Sequence, residues 1–513
     1  IARRWAQTHT RAALLAAALA ATRPLLIYYA QEARMYALLM ALSLAAAALL
    51  LPSFFGPMTW RRWISYSVLG ALSLYTHYFA LFLLAALAVA WLWQHARDRV
   101  GMGRFVAAHA LIALLYAPWA VVVVRRFSVD ASYWQGAFKL GEALRTVAAR
   151  FVGGETLLEV QAAGWAALIL GLTMAGFVAL LIKAPARRDA LRFAALWLVI
   201  PVASALLLAA IAPKFNVRYV LLGLPGLILI WAWLLDDLAA RQGIAWRMAT
   251  LAAVFLLMLP FTLATGNWFF NPNFAKAQWR EVAEFLRPRI DPSEGVILVS
   301  GHAWPVWAYY APDMPPVRLP DIDVLDVNAV LDFATTAAPL RARAAEQPGA
   351  WLIGWQDEVV DPNGVVAAQL ELAGREKGSS ARFHQLSLRR FSRLDPAKFA
   401  QAPPVSVPVG AYFGNAVRLE GYHPLDNGDL LLFWSVLEGA PTGADYQMAL
   451  EVLDESGSVV AHPPDRRLAG YNDPSFRWPA GAVVMGRIAA TDWLGAEPHP
   501  GNYSLRLAVY NAA

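Results

Sequence analysis

Tyr28-Tyr29-Ala30-Gln31-Glu32-Ala33-Arg34-Met35-Tyr36 is a short polar cluster, carrying one acid and one base, set between two long apolar runs at residues 12–29 and 33–51. Each run approaches the ~20 apolar residues that a helix needs to cross a hydrocarbon core. Two membrane spans therefore meet at Glu32 and Arg34. Ionisable groups at that depth are costly unless they pair, reach water or carry out chemistry. An ion pair across a tight loop is the plain outcome, since residues two apart do not meet on a regular helix. A site at the membrane surface is the functional one.

Working outward, the rest of the chain supports a membrane protein. Of its 513 residues 58% are hydrophobic and only 16% charged, and the mean hydropathy is +0.43, too apolar for a soluble chain of this length. The apolar residues concentrate before about residue 266, and the remainder has ordinary soluble composition. With no cysteine, disulfides, thiolate metal sites and cysteine nucleophiles are excluded. The net charge of +6 is spread over short loops beside apolar runs rather than gathered on one face, which argues against a nucleic-acid partner and for membrane orientation. The chain opens at Ile1 without an initiator Met and without a visible signal peptide; the expectation is that sequence precedes it.

Apolar runs bounded by charges or by Pro and Gly give nine candidate spans, at 12–29, 33–51, 63–76, 78–93, 104–124, 161–182, 192–211, 218–236 and 248–266. With a cytoplasmic N-terminus, fourteen basic residues fall in inside loops, among them Arg3, Arg4, Arg61, Arg97, Arg187 and Arg241, against eight in outside loops. The positive-inside rule selects that orientation. It requires the two short runs around Thr76-His77-Tyr78 to be a broken pair turning at His77, which leaves the C-terminal half extracytoplasmic. The long outside loop at 125–160 contains Leu140 to Val152, whose apolar residues recur at helical spacing and predict a helix lying along the membrane surface.

After Asn267 the pattern predicts helices over 276–286 and 330–345 and strands over 295–300 and 350–355, an α/β arrangement. The Pro-rich stretch 402–408 reads as a linker, and β-like runs at 417–422, 429–437, 446–453, 482–489 and 503–510 predict a β-sandwich. The expected fold is a polytopic α-helical membrane domain, residues 1–266, followed by a small α/β domain, 267–400, and a C-terminal antiparallel β-sandwich, 401–513. Trp434, Tyr471 and Trp478 of the last domain are more often core than sugar-stacking residues. Asp321, Asp323 and Asp326 read as a solvated acidic loop.

The outside ends of the spans share Tyr28, Tyr29, Gln31, Glu32, Arg34 and Tyr36, then His77 and Tyr78, then Lys214, Arg218 and Tyr219. Each has a plain explanation alone: Lys214 and Arg218 snorkel to the interface, and the tyrosines form an aromatic belt. Their joint presence on one face is the signal. Lys214 and Arg218 also run against the orientation bias, and an anionic headgroup would compensate them, Arg offering phosphate a bidentate fork and Lys a point charge.

In these motifs, Tyr29-Ala-Gln31-Glu32-Ala-Arg34-Met-Tyr36, Tyr75-Thr-His77-Tyr78-Phe79 and Arg218-Tyr219 before a Leu/Pro-rich span, the chain resembles the GT-C superfamily of integral-membrane glycosyltransferases. Its nearest branch is that of the protein O-mannosyltransferases and lipid A aminoarabinose transferases. The resemblance covers roughly residues 1–290. It implies an inverting transfer of a sugar from a polyprenyl-phosphate donor to a protein, lipid or glycan acceptor on the outer face of a prokaryotic plasma membrane. Arg218, supported by Lys214, would hold the departing phosphate. Glu32 and His77 would orient a divalent cation, sugar hydroxyls or the acceptor, with Arg34 fixing Glu32. Tyr29, Gln31, Tyr36, Tyr78 and Tyr219 would line the substrate site, beside membrane lipids. In the family the base is an acid in the first outside loop, which would precede Ile1, so the 513-residue chain alone is expected to be inactive. The competing reading is a non-catalytic transporter of lipid-linked glycans or a glycan-binding membrane protein. No inverted repeat favours transport, and nine spans exceed what an anchor needs.

Overall fold

The computed structural model describes residues 10–127, 138–212, 214–378, 381–441, 443–493 and 502–512. Arg3 and Arg4 of the charge count and residues 128–137 of the long outside loop lie outside the described residues. The chain forms two compact units that divide between Ala275 and Lys276.

The first unit is helical. The nine apolar runs fall on α1 (Thr10–Ala21) with α2 (Pro24–Ala30), α3 (Tyr36–Leu50), α4 (Trp60–Thr76), α5 (Ala80–His95), α6 (Arg99–Phe127), α8 (Glu159–Lys183), α9 (Arg188–Ile211), α10 (Leu224–Ala240) and α11 (Ile244–Phe270). Helix α7 (Leu140–Gly153) is the amphipathic segment of the long loop. Six helices are long and apolar enough to cross a membrane, and the bent pair α1–α2 makes a seventh. At 1.5 Å per residue α4 and α5, with 17 and 16 residues, run only about 25 Å each, short of the ~30 Å core. The chain is a multi-pass membrane protein.

Three interruptions shape this unit. Helices α1 and α2 meet at 56°, because Pro24 has no N–H to continue the ladder and Arg23 before it is extended. The Arg23 side chain is 1% exposed and its guanidinium lies 4.5 Å from the ring centroids of both Trp231 and Phe261. Between α4 and α5, His77 is extended, with φ −161° and ψ 127°. A 3-10 turn, Val217–Gly223, opens α10, and Asn216 Oδ1 accepts the Arg218 N–H at its start. Helix α10 is the central helix; Gly226 lets it touch α9, since a Cβ there would stand 2.5 Å from the Ala194 carbonyl oxygen. At its other end the fully buried Asp236 accepts Arg11 Nε at 2.8 Å and Arg187 Nη2 at 3.0 Å.

The second unit contains a five-stranded sheet of order β2-β1-β3-β5-β4: β1 (Glu294–Val299), β2 (Pro316–Leu319) and β3 (Gly349–Gly354) are parallel, and β4 (Arg375–Lys377) and β5 (Ser387–Ser392) antiparallel. One face is covered by α12 (Trp279–Leu286) and α13 (Trp304–Tyr310), burying Val296, Leu298 and Ile353. The other is covered by α14 (Phe333–Glu346) and α15 (Val365–Ala373), burying Ile297, Val299 and Leu352. Two antiparallel sheets follow: β6 (Val407–Phe413), β7 (Val417–Pro424), β8 (Leu430–Val436) and β12 (Val483–Ile488) in one, and β9 (Tyr446–Leu453), β10 (Val459–Ala461), β11 (Arg466–Arg467) and β13 (Ser504–Asn511) in the other.

Strand β8 is apolar on both faces because both are buried. Leu432 and Trp434 face the sandwich core, and Leu431 and Phe433 pack on Phe333 and Val365. Trp434 and Trp478 are core residues at 0% and 7% exposure, whereas Tyr471 is exposed beneath Arg467. The fold class expected from sequence is the one observed.

Candidate active site

The site is built where the residues flanking the α2–α3 loop, the break at His77 and the 3-10 turn meet. His77 closes α4 by donating its N–H to Ser73 O, and its Nδ1 accepts the Phe79 N–H at 3.1 Å, satisfying an amide at the start of α5 that has no helical partner. The proton of the neutral ring therefore sits on Nε2. Burial and the nearby Arg218 lower the His77 pKa to about 4, so the imidazole is neutral throughout the physiological range. Its ring lies against Tyr36, Tyr78 and Phe79.

Arg218 reaches the same place from the 3-10 turn. Its Cζ is 6.0 Å from the Tyr36 ring and 5.6 Å from that of Tyr219, and Tyr219 meets Phe79 edge-on at 4.9 Å. Tyr36 in turn packs on Tyr29, ring centroids 5.2 Å apart. Tyr29, Tyr36, His77, Arg218 and Tyr219 are thus contiguous.

The remaining predicted residues lie around this group. Glu32 is mostly buried, and its Oε2 stands 4.0 Å from Nε of the half-exposed Arg34, with the Arg34 N–H on the Glu32 carbonyl at 2.7 Å. The tight loop exists, and its ion pair is long. Gln31 turns away to accept Trp268 Nε1 at 2.9 Å. Tyr78 is 40% exposed, and Lys214 is half-buried four residues before Arg218.

Sequence reading missed Glu155 and Arg150. The Tyr29 hydroxyl donates to Glu155 Oε1 at 2.9 Å, Arg150 Nε lies 3.4 Å from Glu155 Oε2, and Arg150 Nη1 donates to the carbonyls of Gly154 and Glu155. Gly154 makes this approach possible. Its φ of +69° excludes other residues at little cost, and a Cβ would stand 2.8 Å from Pro24 Cβ. The next residue anchors the loop, Thr156 Oγ1 donating to Ala264 O at 2.6 Å and Asn267 Nδ2 to Thr156 O at 2.8 Å. The available signal was the Gly153-Gly154-Glu155 run directly after an amphipathic helix.

Glu155 and Arg150 form one wall of a polar cleft of about 620 Å³ between α7 and the start of the 3-10 turn, also lined by Lys139, Thr146, Phe215 and Asn216. Such a cleft can hold a polar ligand of sugar size against Arg150 and Asn216. Among the described residues no group of three or more His, Asp or Glu side chains could hold a metal ion. Glu32 and His77 therefore do not supply a donor set for the divalent cation that the family resemblance implies.

No family model matches the chain, and no curated protein matches it. Among solved structures it is similar to that of ArnT from Cupriavidus metallidurans in the apo state, with 14% sequence identity over 76% of this chain and 80% of that one and a TM-score of 0.46. At that level of similarity no residue is carried across from one chain to the other.

Proposed function

We propose that the chain is a membrane glycosyltransferase that moves a sugar from a polyprenyl-phosphate donor to an acceptor hydroxyl on the extracytoplasmic face. The observation that carries this reading is the convergence of a cation at Arg218, a neutral His77 and a carboxylate at Glu155 around Tyr29 and Tyr36. Transfer needs one group to neutralise the departing phosphate and another to take the acceptor's proton. In this reading Arg218, with Lys214 nearby on the same loop, holds the phosphate. His77 offers Nε2–H to a substrate oxygen. The polar cleft beside Arg150 receives the sugar. The acceptor oxygen bonds to the anomeric carbon, the bond from that carbon to the phosphate oxygen breaks with its electron pair going to phosphate, and the acceptor proton passes to Glu155. Glu155 takes, in this reading, the place of the acid that the family resemblance puts before Ile1, so transfer is proposed for the 513-residue chain itself, against the expectation from sequence. Tyr29 and Arg150 orient the Glu155 carboxylate.

The test is binding and transfer by the chain in lipid nanodiscs supplied with a radiolabelled polyprenyl-phosphate hexose. Arg218→Ala is expected to weaken donor binding. Glu155→Gln is expected to leave donor binding intact and to lower transfer by about 10²–10⁴-fold, the range for a lost general base. Absence of donor binding by the unaltered chain, or an Arg218→Ala variant that binds equally well, would remove this assignment and favour a protein that handles glycans without transferring them.

A further inference from the structure

The second unit carries a cluster of aromatic and polar residues at the carboxyl edge of its sheet that the transferase reading does not use. In its sheet the chain leaves β1 for β2 on one side and returns through α14 to β3 on the other. The carboxyl ends of β1 and β3 therefore flank a switch in strand order, the position where open α/β sheets bind ligands. Among the described residues four non-glycine residues have positive φ, and two of them stand at this point. Ser300 (φ 68°, ψ 62°) follows β1 and Gln356 (φ 49°, ψ 31°) follows β3. Ser300 Oγ donates to the Gln356 carbonyl at 3.2 Å, so each strained loop holds the other. Strain over-determined in this manner clusters at ligand sites.

The side chains presented there are aromatic and polar. The His302 ring lies 5.7 Å from that of Trp355, and its Nδ1, buried, has no hydrogen-bond partner among the described residues. Trp304 is 37% exposed, with Nε1 on Asp323 at 3.0 Å, and Arg318 lies over its ring. Arg318 is itself paired with Asp321 and Asp323. Two carboxylates against one guanidinium disfavour a phosphate or other anion. A partly exposed indole at Trp304 beside neutral and paired hydrogen-bonding groups fits a ring with an apolar face and hydroxyl edges.

We propose that this cluster at the carboxyl edge of the sheet binds a saccharide, stacked on Trp304 and hydrogen-bonded by His302 and Asp323. The inference does not rest on the transferase reading, and the sugar can come from a free glycan or from a lipid-linked one. The test is saturation-transfer NMR on the full chain in nanodiscs with α1,6-mannotriose and, separately, with a polyprenyl-phosphate mannose in the disc. Transfer to the free trisaccharide identifies a soluble glycan as the source, and transfer to the lipid-linked sugar alone identifies the carrier. Either supports the proposal if Trp304→Ala weakens it by about tenfold and Trp304→Phe, which keeps a ring and guards against misfolding, weakens it less. No saturation transfer from either probe, or equal transfer in Trp304→Ala, would overturn it. Loss of sugar binding here with donor binding at Arg218 intact separates failure of this site from failure of the transferase reading.

Discussion

Replacing Gly154 by Ala tests whether the Glu155 loop is held as tightly as its contacts imply. At φ +69° and ψ −165° the residue occupies a region open essentially to glycine alone, and forcing an alanine there costs about 1–3 kcal/mol. The added Cβ would also stand 2.8 Å from Pro24 Cβ and 3.4 Å from the Leu25 nitrogen, an overpacking of about 1–3 kcal/mol in a region that cannot give. Keeping the native loop thus costs about 2–6 kcal/mol. Releasing it sacrifices the bonds from Tyr29 to Glu155, Thr156 to Ala264 and Asn267 to Thr156. One is charge-assisted and two are neutral, together about 2.5–6 kcal/mol. The two routes are close in energy, so stability falls by at least about 2 kcal/mol by either. Activity tells them apart: a released loop moves Glu155 from Tyr29 and abolishes transfer, whereas a strained native loop transfers normally at lower stability. Thermal unfolding in nanodiscs and transfer from a polyprenyl-phosphate hexose read both quantities. An alanine variant as stable as the parent would refute the argument that Gly154 sets the position of Glu155.

Asp236→Ala should destabilise the helical unit by about 3 kcal/mol, the low end for a broken buried ion pair, because Arg11 is 42% exposed and can turn to water; an unchanged unfolding midpoint would contradict this. Arg23→Met should be close to neutral, since the Nη atoms lack hydrogen-bond partners among the described residues and two desolvated cation–π contacts, about 4 kcal/mol together, roughly offset a desolvation penalty of several kcal/mol; a marked loss of thermal stability would show that the charge is used. Asp361 caps α15, and burial pushes its pKa up to about 7, above the unfolded value of about 3.9. Between those values the folded state binds the extra proton, so the contribution of Asp361 to stability rises as pH falls from about 7 to about 4, by at most about 4 kcal/mol. Asp361→Asn should flatten that part of the stability profile, and identical slopes for the two proteins would count against the assignment.

What could be read in the sequence was what is written locally. Nine apolar runs lie on helices because hydrophobic length is a local property, and the break at His77 was visible because one polar residue interrupts two apolar runs. Five strands of the sandwich match within two residues because alternation is local as well. Strand β2, with four residues, and strands β10 and β11, with three and two, are too short to carry a pattern. Strand β6 was hidden because the stretch read as a linker, 402–408, runs into its first residues and proline argues against a strand interior. The bend at Arg23 was missed because the apolar run 12–29 was read through the Arg-Pro pair that breaks it.

The same physics explains why part of the candidate site is legible in the sequence. Arg218 stood out because its charge runs against the orientation bias and Tyr36 because it belongs to a motif, both decided by near neighbours. Glu155 has no such local mark, and its partner Tyr29 is 126 residues away. A carboxylate in a loop between helices is unremarkable in composition, and only its partners distinguish a solvated side chain from one held between an arginine and a tyrosine. The information that joins them is steric and sits in a different residue: Gly154 lets the loop close on Pro24, and Pro24 ends the ladder at the bend that points Tyr29 toward it. A glycine pair after an amphipathic helix and an Arg-Pro pair inside an apolar run are each a weak signal. Together they specify one contact, which is why substitution at Gly154, a residue that touches no substrate in the proposed reaction, is the sharper test of the site than substitution of any residue in it.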